Sequence, residues 1–501
     1  MSLTNFVKRV RNIMRNDAGL NGDAQRIEQL AWMLFLKVYD EKEKDWELEN
    51  GYRSVMPDGC RWRDWAHDNG DGKALTGDEL LAFVNNDLFA KLKSIDVTHA
   101  TPVRQAIVKT VFEDANQYMK DGVLLRQLLN VIDGLDLGDY KERHAFGDIY
   151  ETILRQLQSA GSSGEFYTPR TLTEYMAETI SPQLGEKMAD FACGTGGFMT
   201  SWLNELDRRV KTAADRDELN RSVFGIEKKQ LPYVLCVTNL LLHGIDSPSV
   251  LHDNSLTKDV LNYTDDDKFD VVLMNPPYGG NEKNDIKSHF PSDMRSSETA
   301  DLFMVLIMYR LKANGRAAVI LPDGFLFGAD NTKIAIKKKL LRDFNLHTII
   351  RLPGSVFAPY TSIATNILFF DNSRADDAPE GFATKETWFY RLDLPEGYKH
   401  FSMTRPIKPE HLNPVREWWN NRKEIVIKEG DEKSRRFTVN ELMASDCNFD
   451  LCKFPKEEEE ILPPIELLNN YYQKRAALNH EIDMTLDEIK RMLGIEINTD
   501  K

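Results

Sequence analysis

The chain has 501 residues, 42% of them hydrophobic and 29% charged, a globular balance that excludes a disordered or fibrous protein. No apolar run reaches the ~20 residues of a membrane span, and the amino end, MSLTNFVKRVRNIM, lacks the apolar core and cleavage site of a secretion signal, so no membrane association is expected. A net charge of −15 argues against a free-standing nucleic-acid binder; any work on DNA needs a local basic face or a partner that supplies the phosphate contacts.

At ~150 residues per domain the length suggests about three domains. Residues 1–155 read as helical. Apolar residues recur at i, i+3, i+4 through 24–39 (AQRIEQLAWMLFLKVY), and 124–132 and 146–157 repeat the pattern. Between them, Pro57, Asp58, Gly59 and the run 69–72 (NGDG) predict a loop.

Residues 156–395 alternate short apolar strands with helical segments. The strands are expected at 187–192, 223–227, 269–274, 317–321, 347–352, 363–370 and 388–392, with helices at 302–312 and 332–344 among them. The alternation predicts an α/β fold with a mostly parallel sheet. The clearest basic cluster is 333–342 (KIAIKKKLLR), for which a phosphate-facing surface and a solvated helix face are both open. Residues 396–501 begin polar and Pro-rich, pass an acidic run at 457–460, and end in a charged helical stretch at 464–493. Such a helix either packs on a partner or stays solvated. No internal repeat is present. The five cysteines (Cys60, Cys193, Cys236, Cys447 and Cys452) are scattered and lack metal-ligand spacing, which predicts reduced thiols in a cytoplasmic protein and no metal site.

Two motifs carry chemistry. The first is the turn after the first strand, Asp190-Phe191-Ala192-Cys193-Gly194-Thr195-Gly196-Gly197-Phe198. Its glycines let the backbone turn tightly and approach a ligand, at the sheet edge where α/β folds bind ligands. Met199 stands where the dinucleotide fingerprint needs its third glycine, and no Gly-Lys-Ser/Thr follows, which disfavours NAD and ATP and leaves S-adenosyl-L-methionine as the natural guest. Cys193 reads as a small packing residue. Glu227, ending the second strand, can accept both ribose hydroxyl protons. Asn254 or Asp253 can meet the adenine edge of the cofactor.

The second motif is Asn275-Pro276-Pro277-Tyr278, directly after the apolar strand 269–274 and about 80 residues beyond the glycine turn. Methylating an exocyclic amino group requires its lone pair, which is delocalised into the base. The Asn275 side-chain oxygen and the Pro276 carbonyl can hold the two N–H protons and favour a tetrahedral nitrogen. Proline fixes φ and adds no competing donor. Tyr278 offers a flat face to a base swung out of its stack. Asn-Pro is also an ordinary turn starter, but the glycine turn on a strand end of the same α/β segment favours the catalytic reading. Cytosine-C5 chemistry would need a Pro-Cys pair, and none occurs.

With these motifs and two further segments, the chain resembles the modification subunits of type I restriction-modification systems along nearly its whole length. The further segments are Glu165-Phe166-Tyr167-Thr168-Pro169-Arg170 and the helical region around Met33-Leu34-Phe35-Leu36-Lys37. The resemblance implies a Rossmann-like S-adenosylmethionine-dependent methyltransferase sheet, with an all-α N-terminal domain (1–155), a catalytic domain (156–395) and a C-terminal region (396–501) whose long helix docks a partner subunit. It implies adenine-N6 methylation of double-stranded DNA. The implied cofactor contacts are Glu165 to Arg170, Asp190, Gly194, Thr195, Gly196, Gly197 and Glu227, with Asn254 preferred over Asp253. It implies an aromatic for the flipped base from the segment 322–327 (PDGFLF), with Phe327 preferred over Phe325. The implied partners are a specificity subunit, a second copy of the chain and a restriction (motor-nuclease) subunit. One departure is Phe191, where the family has proline. Rival readings are a protein glutamine-N5 methyltransferase, which uses the same tetrapeptide on a smaller chain, a catalytically silent assembly subunit, and a self-contained methylase-nuclease.

Overall fold

The computed structural model describes residues 3–98, 100–137, 150, 168–358, 360–455 and 464–493. The chain divides into two units, Met1–Lys453 and Phe454–Lys501.

The front of the first unit is helical. Its longest helix, Asp23–Trp46, extends the expected 24–39 segment by two turns, and nearly every side chain from Ile27 to Glu43 is buried. The charges among them are paired: Lys37 with Glu41 at 2.8 Å and Asp40 with Arg63 at 2.7 Å. Pairing allows the charged second half of this helix to be internal. The expected helix at 124–132 is Gly122–Asp133, capped by the Asp121 side chain. The expected helix at 146–157 lies outside the described residues apart from Tyr150. The stretch between these segments, expected to be loop, is largely helical instead, with helices at Trp62–Trp65, Gly77–Ala82, Phe83–Leu88, Phe89–Lys93 and Val103–Glu113; Pro57–Gly59 and residues 69–72 lie outside them.

The sheet has ten strands: β1 Met188–Asp190, β2 Val223–Glu227, β3 Val250–His252, β4 Phe269–Met274, β5 Leu311–Pro322, β6 Asn345–Arg351, β7 Thr365–Asp371, β8 Glu386–Arg391, β9 Ile425–Lys428 and β10 Asp431–Thr438, in the order β3-β2-β1-β4-β5-β7-β6-β8-β10-β9. The half from β3 to β5 is parallel; β7 is antiparallel to β5 and β6, and β10 to β8 and β9. Side chains alternate between two apolar cores, one per face: Val271 and Leu273 enter the core shared with the helical front, Val272 and Met274 the opposite one. The helix Gln230–Leu242 packs between the sheet and the Asp23–Trp46 helix.

Two parts of the sheet were not expected. β3 has only three residues. The β9–β10 hairpin is strongly polar and continues the sheet past residue 395. In the second unit, Pro464–Leu493 forms a helix with Ile465, Leu468, Tyr472, Ile482 and Ile489 exposed.

The basic cluster at 333–342 is split: Lys338 and Lys339 are half-buried and Arg342 is exposed, whereas two of its lysines point inward. In the helix Asn331–Asp343, Lys333 is buried against Asp301 and Glu298, at 2.8 Å from each, and Lys337 is fully buried.

Candidate active site

Parallel strands β1, β2 and β4 deliver the two motifs to one edge of the sheet. The glycine turn leaves β1 with Gly194 at φ 53° and Gly196 at φ 82°, then enters the helix Gly197–Asp207. A Cβ on Gly196 would lie 2.9 Å from Cys236 Sγ, so glycine is needed both for conformation and for space. Cys193 is buried with its Sγ 3.8 Å from that of Cys236, and the hydrogen bond with that thiol, together with burial, raises its pKa, as befits a packing residue.

Glu227 ties the turn to the second strand. Its Oε2 accepts from the Gly194 N–H at 2.9 Å and its Oε1 from the Lys229 N–H at 2.8 Å. Asp190 is buried beneath the turn and accepts from Ala192 N–H at 3.1 Å. Burial pushes its carboxyl up to about 8, the Ala192 bond opposing and the Glu227 charge adding to the shift. Asp253 and Asn254 follow β3; Asp253 accepts from the Asn254 N–H at 2.7 Å, and Asn254 Oδ1 from the Leu256 N–H at 3.2 Å.

The catalytic corner leaves β4. Asn275 Nδ2 donates to Thr168 Oγ1 at 3.0 Å, and the Tyr278 hydroxyl donates to Asn275 Oδ1. Burial raises the Tyr278 hydroxyl well above its ordinary pKa, so it is a proton donor throughout the working range. The oxygen expected to receive the substrate amine thus already accepts one hydrogen bond from tyrosine, and an amide oxygen can accept two.

Turn and corner face one cleft of about 310 Å³, lined by Gly194, Glu227, Asp253, Asn254, Asn275, Pro276, Pro277 and Tyr278. A second cavity, of about 60 Å³, is lined by Thr168, Asp190, Gly194, Thr195, Gly197 and Asn275. The segment before the turn braces both: Thr168 holds Asn275, Pro169 precedes the helix Arg170–Ile180, and Arg170 donates to Gly197 O at 2.7 Å and to Thr200 Oγ1. Glu165, Phe166 and Tyr167 lie outside the described residues. Phe325 is fully buried whereas Phe327 is 57% exposed.

Sequence reasoning missed the support of the departure at Phe191. The Phe191 ring is buried edge-on to Phe269 at 5.9 Å, with the Arg310 guanidinium 4.7 Å from its centroid, and its carbonyl accepts from Ser255 Oγ at 2.5 Å. These contacts come from distant positions and left no local signal. Among the described residues no group of three or more His, Cys, Asp or Glu could hold a metal, and no helix is long and apolar enough to cross a membrane.

A positive-φ glycine turn, a carboxylate on β2 and an Asn-Pro-Pro-Tyr corner on β4 define a class, and comparison with known proteins agrees. Residues 141–461 match the family of N-6 DNA methylases, and residues 3–132 match the HsdM N-terminal domain. The chain is 44% identical over 506 residues to the type I restriction enzyme EcoEI methylase subunit of Escherichia coli, covering 100% of this chain and 99% of that one. It therefore belongs to the N-6 DNA methylases and, among them, to the methylase subunits of type I restriction enzymes. A crystal structure of a type I modification subunit from Vibrio vulnificus YJ016 is 41% identical with a TM-score of 0.75, over 88% of this chain and 92% of that one. A chain from a structure of the type I R-M system is 32% identical with a TM-score of 0.77, over 99% of both.

Proposed function

We propose that this chain transfers a methyl group from S-adenosyl-L-methionine to N6 of adenine in double-stranded DNA, as the modification subunit of a type I restriction-modification complex in the cytoplasm. The observation that carries the reading is that Asn275 and the glycine turn line the same cleft. The residues fit the cofactor: a cradle at Gly194 and Gly196 that admits no side chain at Gly196, a lining carboxylate in Glu227, and a volume at the low end of the ~300–1,000 Å³ typical of ligand sites.

Gly194, Thr195, Gly196 and Gly197 offer backbone to the cofactor, Glu227 its ribose hydroxyls an acceptor, and Asn254 its adenine an edge. Asp190 supports the turn from below, and Glu165 to Arg170 contribute further contacts to the cofactor. When bound, the cofactor supplies an electrophilic methyl on a sulfonium. Asn275 Oδ1 and the Pro276 carbonyl hold the two N–H protons of the target amine, Pro277 stiffens the corner, and Tyr278 and Phe327 sandwich the flipped base. The contribution of these groups is orientation and charge placement rather than covalent catalysis.

Residues 1–155 serve as the helical N-terminal domain, 156–395 carry catalysis, and 396–501 dock partners through the Pro464–Leu493 helix. A specificity subunit selects the DNA site, a second copy joins it, and a restriction subunit can add. The acidic balance and the inward-facing lysines at 333 and 337 support this division of labour. The match of residues 3–132 to the HsdM N-terminal domain speaks against a glutamine-N5 methyltransferase. The test is to incubate DNA with the purified complex and methyl-labelled cofactor and digest it for mass spectrometry. Label in N6-methyladenine is expected; DNA without label there overturns the reading.

A further inference from the structure

Lys337 stands in a helix whose basic composition left a phosphate-facing surface and a solvated face both open, yet its side chain is fully buried. Its Nζ donates to the Leu326 carbonyl at 3.1 Å and to the Gly328 carbonyl at 2.8 Å. These two groups flank Phe327. The Leu326 carbonyl also accepts from Phe449 N–H at 3.0 Å, and the Gly328 N–H donates to the Gly324 carbonyl at 3.1 Å. The ammonium is 5.4 Å from the centroid of the Phe449 ring. Burial pulls its pKa down to about 8, with Asp330 and Asp301 acting the other way.

Burying an ammonium is unfavourable, and methionine would fill a similar volume without that cost. The position therefore calls for a hydrogen-bond donor, and its recipients are the carbonyls on either side of one residue. That residue is the exception in its segment. In the short helix Asp323–Phe327, Phe325 and Leu326 are buried and Phe327 projects.

The far end of this helix is also pinned. Asp323 accepts from Arg351 Nη2 at 3.0 Å and Asn366 Nδ2 at 2.7 Å, and Arg351 is itself anchored on Asp450 at 2.7 Å. A Cβ on Gly328 would lie 2.1 Å from Lys333 Cδ, so the chain has no slack there. The helix leaves β5 beside the catalytic corner: Met274 pairs with Val319, and the Tyr278 hydroxyl lies 3.4 Å from the Ile320 carbonyl.

We propose that Lys337 is a positioning residue for the target adenine: by holding the Leu326 and Gly328 carbonyls it fixes the turn that displays Phe327 as a stacking surface for the flipped base. This rests on the reading of Phe327 given under the proposed function. A ring held in place loses little conformational entropy when a base stacks on it, and small misplacements near a reacting group are costly in rate.

The test uses the complex with its specificity subunit, assembled with Lys337→Met, Phe327→Ala or both. Single-turnover methylation, cofactor affinity and the fluorescence of 2-aminopurine at the target adenine are measured. Lys337→Met is expected to slow transfer about tenfold and to halve the 2-aminopurine response, with cofactor affinity within about twofold of native. Lys337→Arg, which keeps the donors, should recover most of the rate. On the Phe327→Ala background, Lys337→Met should add less than about twofold, because both act through one ring. If Lys337→Met does not assemble, Lys337→Leu, which also lacks a donor, replaces it with the same expectations. The proposal alone is overturned if Phe327→Ala is damaging while the Lys337 variant transfers at the native rate, or if the two losses simply multiply. Should Phe327→Ala itself leave rate and fluorescence untouched, the stacking reading fails and takes this proposal with it.

Discussion

Thr168 and Asn275, 107 residues apart in sequence, are joined side chain to side chain: the Asn275 Nδ2 amide donates to Thr168 Oγ1 at 3.0 Å. The bond fixes the plane of the amide and turns Oδ1 away from Thr168 toward the Tyr278 hydroxyl. An amine that donates to Oδ1 then finds the acceptor already oriented. Thr168→Val is expected to lower the single-turnover rate about tenfold, or ~1.4 kcal/mol of transition-state stabilisation, and Thr168→Ser to restore it. A Val variant at the native rate would show that the amide is held by other means.

Glu227 bridges turn and strand through Gly194, so its charge and its hydrogen bond can be separated. Glu227→Gln keeps a carbonyl oxygen for the Gly194 N–H but removes the anion. Cofactor affinity should fall roughly 10- to 100-fold, the range for losing a charge-assisted bond, with little change in rate at saturating cofactor. Isothermal calorimetry and initial rates together check this; unchanged affinity would remove Glu227 from the cofactor site.

Burial lifts the Asp190 carboxyl to about 8, far above an exposed aspartate, so the cofactor-free protein holds this proton at neutral pH. The unfolded chain releases it near pH ~4, so the stability contributed by the protonated form is complete below that value and is lost as pH rises through the folded pKa. A cationic cofactor favours the ionised carboxylate. Binding should therefore release a proton at pH 7 and tighten as pH rises toward 8. Calorimetry in two buffers of different ionisation enthalpy measures the release; identical heats after buffer correction for no proton exchange would contradict it.

Gly196 combines a φ of 82° with a Cβ position 2.9 Å from Cys236 Sγ. Gly196→Ala is expected to destabilise by about 1–2 kcal/mol and to abolish detectable cofactor binding. Adding Cys236→Ala relieves the contact but not the backbone strain, so recovery should be partial in thermal melts. Full recovery would show that space alone matters at this position.

The legibility of these features followed the range of the interactions behind them. The corner at 275–278 and the turn at 190–198 are contiguous, and their composition states their chemistry. The strands that carry them read clearly because both faces of β4 are buried, giving an unbroken apolar run. β10 (DEKSRRFT) did not, because only part of its length packs and its polar residues masked its pairing with β8. The lysines at 333 and 337 misled for a related reason: charge in sequence says nothing of the carboxylates and carbonyls that meet it in the fold. Arg310 acts on Phe191 far away in the chain, the bond from Asn275 to Thr168 spans 107 residues, and nothing in the basic run 333–342 marks Lys337 as the donor to the Leu326 and Gly328 carbonyls.

The central claim is that the Asn275 amide oxygen holds the target amine while other groups hold the cofactor. Asn275→Ala, assembled with the specificity subunit and assayed for transfer of labelled methyl to DNA alongside calorimetric cofactor binding, separates the two. The expected result is loss of methyl transfer with cofactor affinity within about threefold of native. Methyl transfer at the native rate by this variant would contradict the account.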